Sequence, residues 1–454
     1  MRWQTTAAVL CGYGLLKEFR PSEPYMFVYQ NTIMNISAEV LNGDVYPYWT
    51  YSYLVALVPV FLLTDLLLYK PVLLLESLSY IAVWLLLIFG RAVWTQQLVE
   101  LFYGWATATE VGFFAYAYVN VDRQQFSRVT VWTRAALQGG RCLSYLLSEL
   151  IIILRPGSYL ILNYLSLGSL CLTFFFALVL PWVGWEEVVR REASHRERLP
   201  LSSGSANEPA SYRDFARSKF ENLWIDLRRI YSDAFLLKWS LWWAMTTSGN
   251  FMISNYIQTL WGHHHSEKAQ AYNGLVEAVT PLIGKSHTEI GNAVVVLLLL
   301  QLLAVDWNRW GELCLTLAAV ADFGLLYLLS STSNLLVMYA TYMVFRVLYQ
   351  AMITISQFNL ADRMVVQSYG LVFGFNTLVA LALQAIMTIV VVDKRGLGLE
   401  IQPQFRVYAF YHLSIAAVFL LAVLYRMLRK LFKKLRFSAH MYPCCDEKTE
   451  SPKS

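Results

Sequence analysis

The sequence predicts an all-α protein that crosses a membrane twelve times, and three observations predict it. Hydrophobic residues fill 57% of the 454 positions and charged residues only 15%. Soluble domains carry about 25% charged residues, so most of this surface must face something other than water. Mean hydropathy is +0.44. The apolar residues gather into long runs, and a hydrocarbon core of about 30 Å needs roughly 20 apolar residues per helix. Twelve such runs, short connections and one longer loop account for the length.

The runs are expected at 5–29, 49–68, 72–89, 95–119, 129–153, 160–183, 237–260, 273–304, 312–330, 334–356, 368–392 and 405–426. The stretch Thr5 to Leu16 has no small-residue cleavage pattern, so the first helix is expected to act as its own insertion signal. It runs into Arg20-Pro21-Ser22-Glu23-Pro24. Two prolines three apart remove backbone donors and break the helix, and broken helices at membrane depth line binding cavities. Glu23 therefore faces a cavity or pairs with Arg20. The second run opens on Trp49, Tyr51 and Tyr53, whose faces stack on flat heterocycles and attract cations; interfacial belts use the same residues. Glu76 in the third and Glu149 in the fifth lie near span ends, where snorkelling is easier, and are set aside.

The fourth run holds Glu110 in Thr107-Ala108-Thr109-Glu110-Val111-Gly112-Phe113, with no Lys or Arg near in the chain. An unpaired carboxylate at that depth costs about 2.5–3.5 kcal/mol. It must face a cavity, find a cation or stay protonated; Phe113 and Phe114 follow one turn on. The seventh run carries Asn255. The eighth begins with Asn273 and Glu277 on one helical face. Arg346, Asn376 and Gln384 are further intramembrane polar groups, able to bind a substrate or to join helices. The first, fourth and seventh runs are the most polar, as expected of helices that line a cavity.

The interval Gly184 to Lys238 stands apart, with Arg190, Arg191, Arg196 and Arg198, a Pro/Ser/Gly-rich stretch from Pro200 to Pro209, then Arg213, Arg217, Lys219, Arg228 and Arg229. It divides the chain into 1–183, a six-helix bundle; 184–236, a central loop; 237–426, a second six-helix bundle; and 427–454, a basic tail. That is the major-facilitator layout, with the substrate site at the midplane between halves. Arg2, Lys70, Arg123, Arg128, the loop arginines, Arg309, Arg363 and the tail from Arg426 to Arg436 fall on one side; the other receives only Arg91, Arg155, Lys268, Lys394 and Arg395. The positive-inside bias puts both termini and the central loop in the cytoplasm. The sequon Asn35-Ile36-Ser37 falls on the opposite side, where glycosylation occurs.

Other chemistries find no support. Cys11, Cys142, Cys171 and Cys314 sit in apolar runs as packing residues; Cys444-Cys445 follows the basic run as a palmitoylation site or a reduced tail. His263-His264-His265 lacks a spaced partner ligand and reads as a solvated loop rather than a metal site. No phosphate-binding loop, nucleotide fingerprint or Ser/His/Asp set is present, so neither a cofactor, an enzyme nor an ATP-driven pump is expected. The net charge of +5 is modest and its basic clusters lack interleaved aromatics, which argues against nucleic acid and for a membrane-flanking face.

At Arg20-Pro21-Ser22-Glu23-Pro24, Trp49-Thr50-Tyr51-Ser52-Tyr53-Leu54, Glu100-Leu101-Phe102-Tyr103-Gly104, Trp239-Ser240-Leu241-Trp242-Trp243, Asn255-Tyr256-Ile257-Gln258, Tyr272-Asn273-Gly274, Leu371 to Thr377 and Gly396 to Glu400, the chain resembles the reduced-folate and thiamine carriers over nearly its whole length. The resemblance implies glutamate at position 110 in thiamine carriers and arginine in folate carriers. Gln384 likewise stands where folate carriers have lysine, and Ala380 to Gln384 resembles the first of the two vertebrate thiamine carriers in particular. It implies Glu23, Trp49, Glu110, Phe113 and Asn273 as thiamine-site residues, with Tyr51, Asn255, Asn376 and Gln384 secondary. Phe113 departs from a family tyrosine. Lys285 to Asn292 places charge where the family has apolar residues, either a helix break or a gene-model error. The expected function is thiamine uptake across the plasma membrane by alternating access, coupled to proton exchange. A reduced-folate carrier and a non-transporting receptor or scaffold are the alternatives.

Overall fold

A computed structural model describes residues 3–64, 66–119, 126–186, 231–264, 307–363 and 369–441, with 213, 217, 225, 227, 228, 273, 274 and 276 as isolated positions. The rest of the central loop and of the eighth span lie outside the described residues. So do Glu277, the 285–292 stretch, His265, Cys444-Cys445 and the side chain of Phe114.

Eleven long helices carry the described fold: α1 Trp3–Glu18, α2 Pro47–Leu63, α3 Lys70–Phe89, α4 Val93–Val119, α5 Phe126–Leu154, α6 Tyr159–Val179, α7 Ala234–His264, α8 Trp307–Ser331, α9 Leu335–Arg363, α10 Tyr369–Met387 and α11 Ile401–Met441. Eight described helical stretches are long and apolar enough to cross a membrane. The long helices among the described residues that fall short are α1, α4 and α7, the first, fourth and seventh runs. α1 has only 16 residues before the break, and polar residues lower the mean hydropathy of α4 and α7.

The expected break is present. α1 stops at Glu18, and the chain restarts as a 3₁₀ turn, Glu23–Tyr25, with Pro24 at its start. The polar break residues are held from outside the helix: Ser22 N–H donates to Ser166 Oγ at 3.3 Å, and the Trp84 indole donates to Ser22 Oγ at 2.7 Å. A π-helical turn, Tyr29–Ile33, follows and leads into the exposed loop that carries Asn35.

In the first half α1 packs on α5 and α6, α3 on α4 and α6, and α2 on α4. The α1–α5 approach is close enough that a Cβ on Gly140 would collide with the Leu15 backbone carbonyl. In the second half α8 packs on α9 and α11, and α7 on α9, α10 and α11. Outward side chains are apolar at mid-span: Val55 is 67% exposed, Phe175 60% and Leu421 65%. In water that belt would be an aggregation surface; lipid tails cover it. The halves meet where α2 lies against α10 and where α7 lies against Met26–Val28.

Candidate substrate cavity

A cavity of about 510 Å³ opens between the halves, a size that suits a small organic molecule. The first half contributes Glu18, Arg20, Glu23 and Pro24 at the break, Trp49 of α2, and Arg141 and Tyr145 of α5. From α4 come Glu100, Tyr103, Thr107 and Glu110. Their spacing of three, four and three residues is one face of a helix. The second half contributes Trp243, Asn250, Phe251, Ser254, Asn255 and Gln258 of α7 and Tyr342, Arg346, Tyr349 and Gln350 of α9.

Glu23 is fully engaged. It accepts from Tyr145 Oη at 2.7 Å and from Tyr103 Oη, and Arg20 Nη1 lies at 3.1 Å. Both readings of this residue hold: it lines the cavity and it pairs with Arg20. The Arg20 guanidinium rests on Tyr80, 4.7 Å from the ring centroid, and on Tyr103 at 5.8 Å. Glu18 accepts from Arg141 Nε at 2.8 Å and from Arg20 Nη2 at 3.2 Å. The break is therefore a knot of alternating charges, each compensated by a neighbour, as a low-dielectric interior requires.

Glu110 faces the cavity and has a cation beside it that comes from a distant part of the chain. Lys17 Nζ of α1 lies 3.7 Å away and only 2.7 Å from Glu76. Lys17 and Glu76 are buried, while the Glu110 side chain is 41% exposed toward the cavity. Tyr13 also donates to Glu76. Glu76 is thus an internal ion-pair partner rather than a snorkelling residue: six residues into α3 it is about 9 Å from the helix end. Glu149 is likewise buried and accepts from Tyr25 Oη at 2.8 Å.

Trp49 lines the cavity, donates its indole N–H to Thr107 Oγ1 at 3.4 Å and meets Phe251 edge-on at 6.1 Å. Phe113 does not line it. It is fully buried and stacks on Tyr13 at 5.5 Å, because at 3.6 residues per turn it lies about a quarter turn off the Glu100–Glu110 face. Asn273 is also buried off the cavity and accepts from Tyr339 Oη at 2.5 Å. Asn255 lines the cavity, and its Nδ2 has no hydrogen-bond partner among the described residues. The other secondary positions are structural: Gln384 Nε2 donates to Thr50 Oγ1 across the halves at 3.0 Å, Asn376 is tied to Tyr231 and Ser240, and the Tyr51 hydroxyl is buried off the cavity.

Two lining residues that the sequence reading left out or underweighted stand in contrast. Glu100 is 8% exposed, with no ion pair or hydrogen bond among the described residues. Arg346 donates to Asn250 Oδ1 at 2.7 Å and Ser254 Oγ at 2.8 Å, both neutral. The signal for Glu100 was available in the spacing of α4. On the side of the 31–46 segment the halves are latched: Lys394 Nζ lies 3.3 Å from Asp44 and 3.5 Å from Glu39, and Thr259 Oγ1 donates to Asn42 at 3.0 Å. The hydrogen bond to Asp44 raises the Lys394 pKa above its ordinary value. Among the described residues no group of three His, Cys, Asp or Glu could hold a metal ion.

Two helical halves around a polar central cavity define a multi-pass membrane transporter, not an enzyme. Residues 1–407 match the family described as reduced folate carrier, and the chain belongs to it. Folate-like transporter 3 of Caenorhabditis elegans is 44% identical over 90% of this chain and 94% of its own length. Thiamine transporter 1 of Homo sapiens is 36% identical over 92% of this chain and 89% of its own. Among solved structures, a POT family transporter in complex with a thioalcohol-conjugated peptide aligns with a TM-score of 0.59 at 11% identity, over 91% of this chain and 95% of that one. The nucleoside transporter NupG aligns at 0.57 and 11%, over 92% and 98%. These likenesses show the major-facilitator-type fold.

Proposed function

We propose that this carrier imports thiamine, a flat cationic vitamin, by rocking its two bundles about the central cavity. Glu100 carries the reading: a carboxylate on the cavity wall without a cation is disfavoured until a cation or a proton arrives. Trp49 and Phe251 offer ring faces in the same cavity. Glu110 shares its one cation with Glu76 and so keeps unused negative charge toward the same space. Glu23 organises this wall, and Asn255 offers an unused amide. Exchange of a proton for the substrate cation suits carboxylates that protonate as the substrate leaves. The 36% identity to a thiamine transporter and the glutamate at position 110 support the same reading.

The proposed topology has bundles at 1–183 and 237–426, with the 184–236 loop, the 427–454 tail and both termini in the cytoplasm of a plasma-membrane protein. Asn35 is exposed in a left-handed conformation, φ +55°, which asparagine adopts readily, and would carry a glycan on the outer side.

Arg346 favours a second reading. A cavity guanidinium with neutral partners would serve an anionic vitamin such as a reduced folate, and a relative at 44% identity is named folate-like. Uptake of radiolabelled thiamine and folate by transfected cells across pH separates the two. Thiamine accumulation insensitive to excess folate is expected. Folate accumulation that ignores excess thiamine would overturn the reading, and binding without time-dependent accumulation would indicate a receptor.

A further inference from the structure

A buried aspartate–histidine pair lies in the other half, behind the cavity wall. Asp322 of α8 and His412 of α11 are both buried, and Asp322 Oδ2 lies 3.4 Å from His412 Nδ1. Asp322 Oδ1 and both imidazole nitrogens of His412 have no hydrogen-bond partner among the described residues, so the Asp322–His412 approach is a close contact rather than a hydrogen bond. The elements packed around the imidazole bring it rings and backbone. From α7 comes Gly249, so near that a Cβ there would collide with His412 Nε2. Phe345 of α9 meets the imidazole edge-on at 5.8 Å. The Tyr411 ring lies at 6.0 Å, with its hydroxyl spent on the Met245 carbonyl. The other described charges on these helices are engaged or outward: Arg346 donates to Asn250 and Ser254, Lys238 and Arg426 pair with Glu312, and His263, Arg406 and Arg429 are exposed.

Among the described residues this carboxylate faces one imidazole and no other charge, a geometry suited to holding one shared proton. With one proton the pair is neutral overall, whether as carboxylate and imidazolium or as carboxylic acid and imidazole. Without it a lone carboxylate remains in the membrane interior; with a second proton a lone imidazolium remains. Both states are costly when buried. Water that reaches one side of the pair changes this balance.

Its position links that change to the cavity. His412 touches Gly249 and Phe345, which immediately precede Asn250 and Arg346 in the chain. Asn250 and Arg346 are the hydrogen-bonded pair on the cavity wall. We propose that Asp322–His412 binds the coupling proton, taken up from one aqueous side and released to the other as the α7–α9 wall moves. The proposal rests on the proton-coupled thiamine reading above and assigns a residue pair to it.

The test uses the full chain reconstituted in proteoliposomes. Radiolabelled thiamine uptake is measured with and without a transmembrane proton gradient of either direction, alongside thiamine–thiamine exchange at equal pH. The expected result is that a gradient stimulates the wild type, whereas Asp322→Asn and His412→Phe lose the stimulation and keep exchange. Wild-type uptake indifferent to the gradient would overturn proton coupling and this site with it. A stimulated wild type with equally stimulated variants would overturn this assignment alone. Loss of exchange in both variants would make the pair a packing element and also overturn it.

Discussion

Replacing Glu100 with glutamine removes the negative charge that this side chain presents to a bound cation and changes little else, since the side chain has no described partner to orphan. A substrate cation about 4 Å from the carboxylate gains roughly 4 kcal/mol of gross Coulomb energy at an effective dielectric of about 20. Desolvating the two groups offsets part of this, and charged hydrogen bonds net about 1.5–3 kcal/mol. A loss of about 2 kcal/mol is therefore expected, a rise in thiamine KM of roughly 30-fold. Radiolabelled uptake in transfected cells, normalised to surface protein, measures it, with Glu100→Asp as a charge-retaining control. The variant should also accept neutral thiamine analogues relatively better than the wild type does. A Glu100→Gln carrier with an unchanged KM would refute the role assigned to this carboxylate.

Lys17→Met should destabilise the first half by about 3–5 kcal/mol, the range for breaking a buried pair from one side, because Glu76 keeps its charge and loses its cation. Thermal unfolding of the detergent-purified carrier measures this, and the double variant with Glu76→Gln should recover most of the loss. Gly140→Val should abolish folded protein at the surface, since the first atom beyond Cα meets the Leu15 carbonyl; size-exclusion profiles report it. Lys394→Ala should loosen the latch only slightly, because both of its pairs are exposed. It should leave uptake near wild type, and a large loss would mean that the latch does more than its exposure allows. Asn35→Gln should shift electrophoretic mobility to that of the deglycosylated wild type; an unshifted band would place the loop on the other side of the membrane.

Much of the fold was legible because lipid imposes simple rules on composition. The break after Glu18 followed from Pro21 and Pro24, and the polar character of α1, α4 and α7 marked them as cavity helices before any coordinates. What escaped was contact across the chain. Lys17 lies far from Glu110 in sequence, and only the packing of α1 against its neighbours brings them together. Glu76 was set aside by depth along the sequence, a measure blind to which way a helix face turns. Phe113 failed for the same reason: one turn from Glu110 is near in sequence, yet a quarter turn in azimuth sends a ring into the core. The α4 spacing held the remedy, because extending the Glu110 face backwards reaches Thr107, Tyr103 and Glu100.

That extension alters where selectivity resides. Among the described residues of the first half the carboxylates of Glu18, Glu23, Glu76, Glu100 and Glu110 are matched by only Lys17, Arg20 and Arg141. Glu18 and Glu23 are satisfied within the knot at the break, and Glu76 takes the nearer share of Lys17. The carboxylates left without a full cation of their own are therefore Glu100 and, in part, Glu110, both facing the cavity from one helix. The second half answers with a single guanidinium, Arg346, held by neutral groups. On the proposed reading, a substrate that binds both walls brings positive charge to α4 and can tolerate an acceptor at α9. The sign at position 110 is thus one component of a balance set jointly by Glu100, Lys17 and Arg346. Changing Glu110 alone to arginine would oppose Lys17 across a few ångströms before it created an anion site.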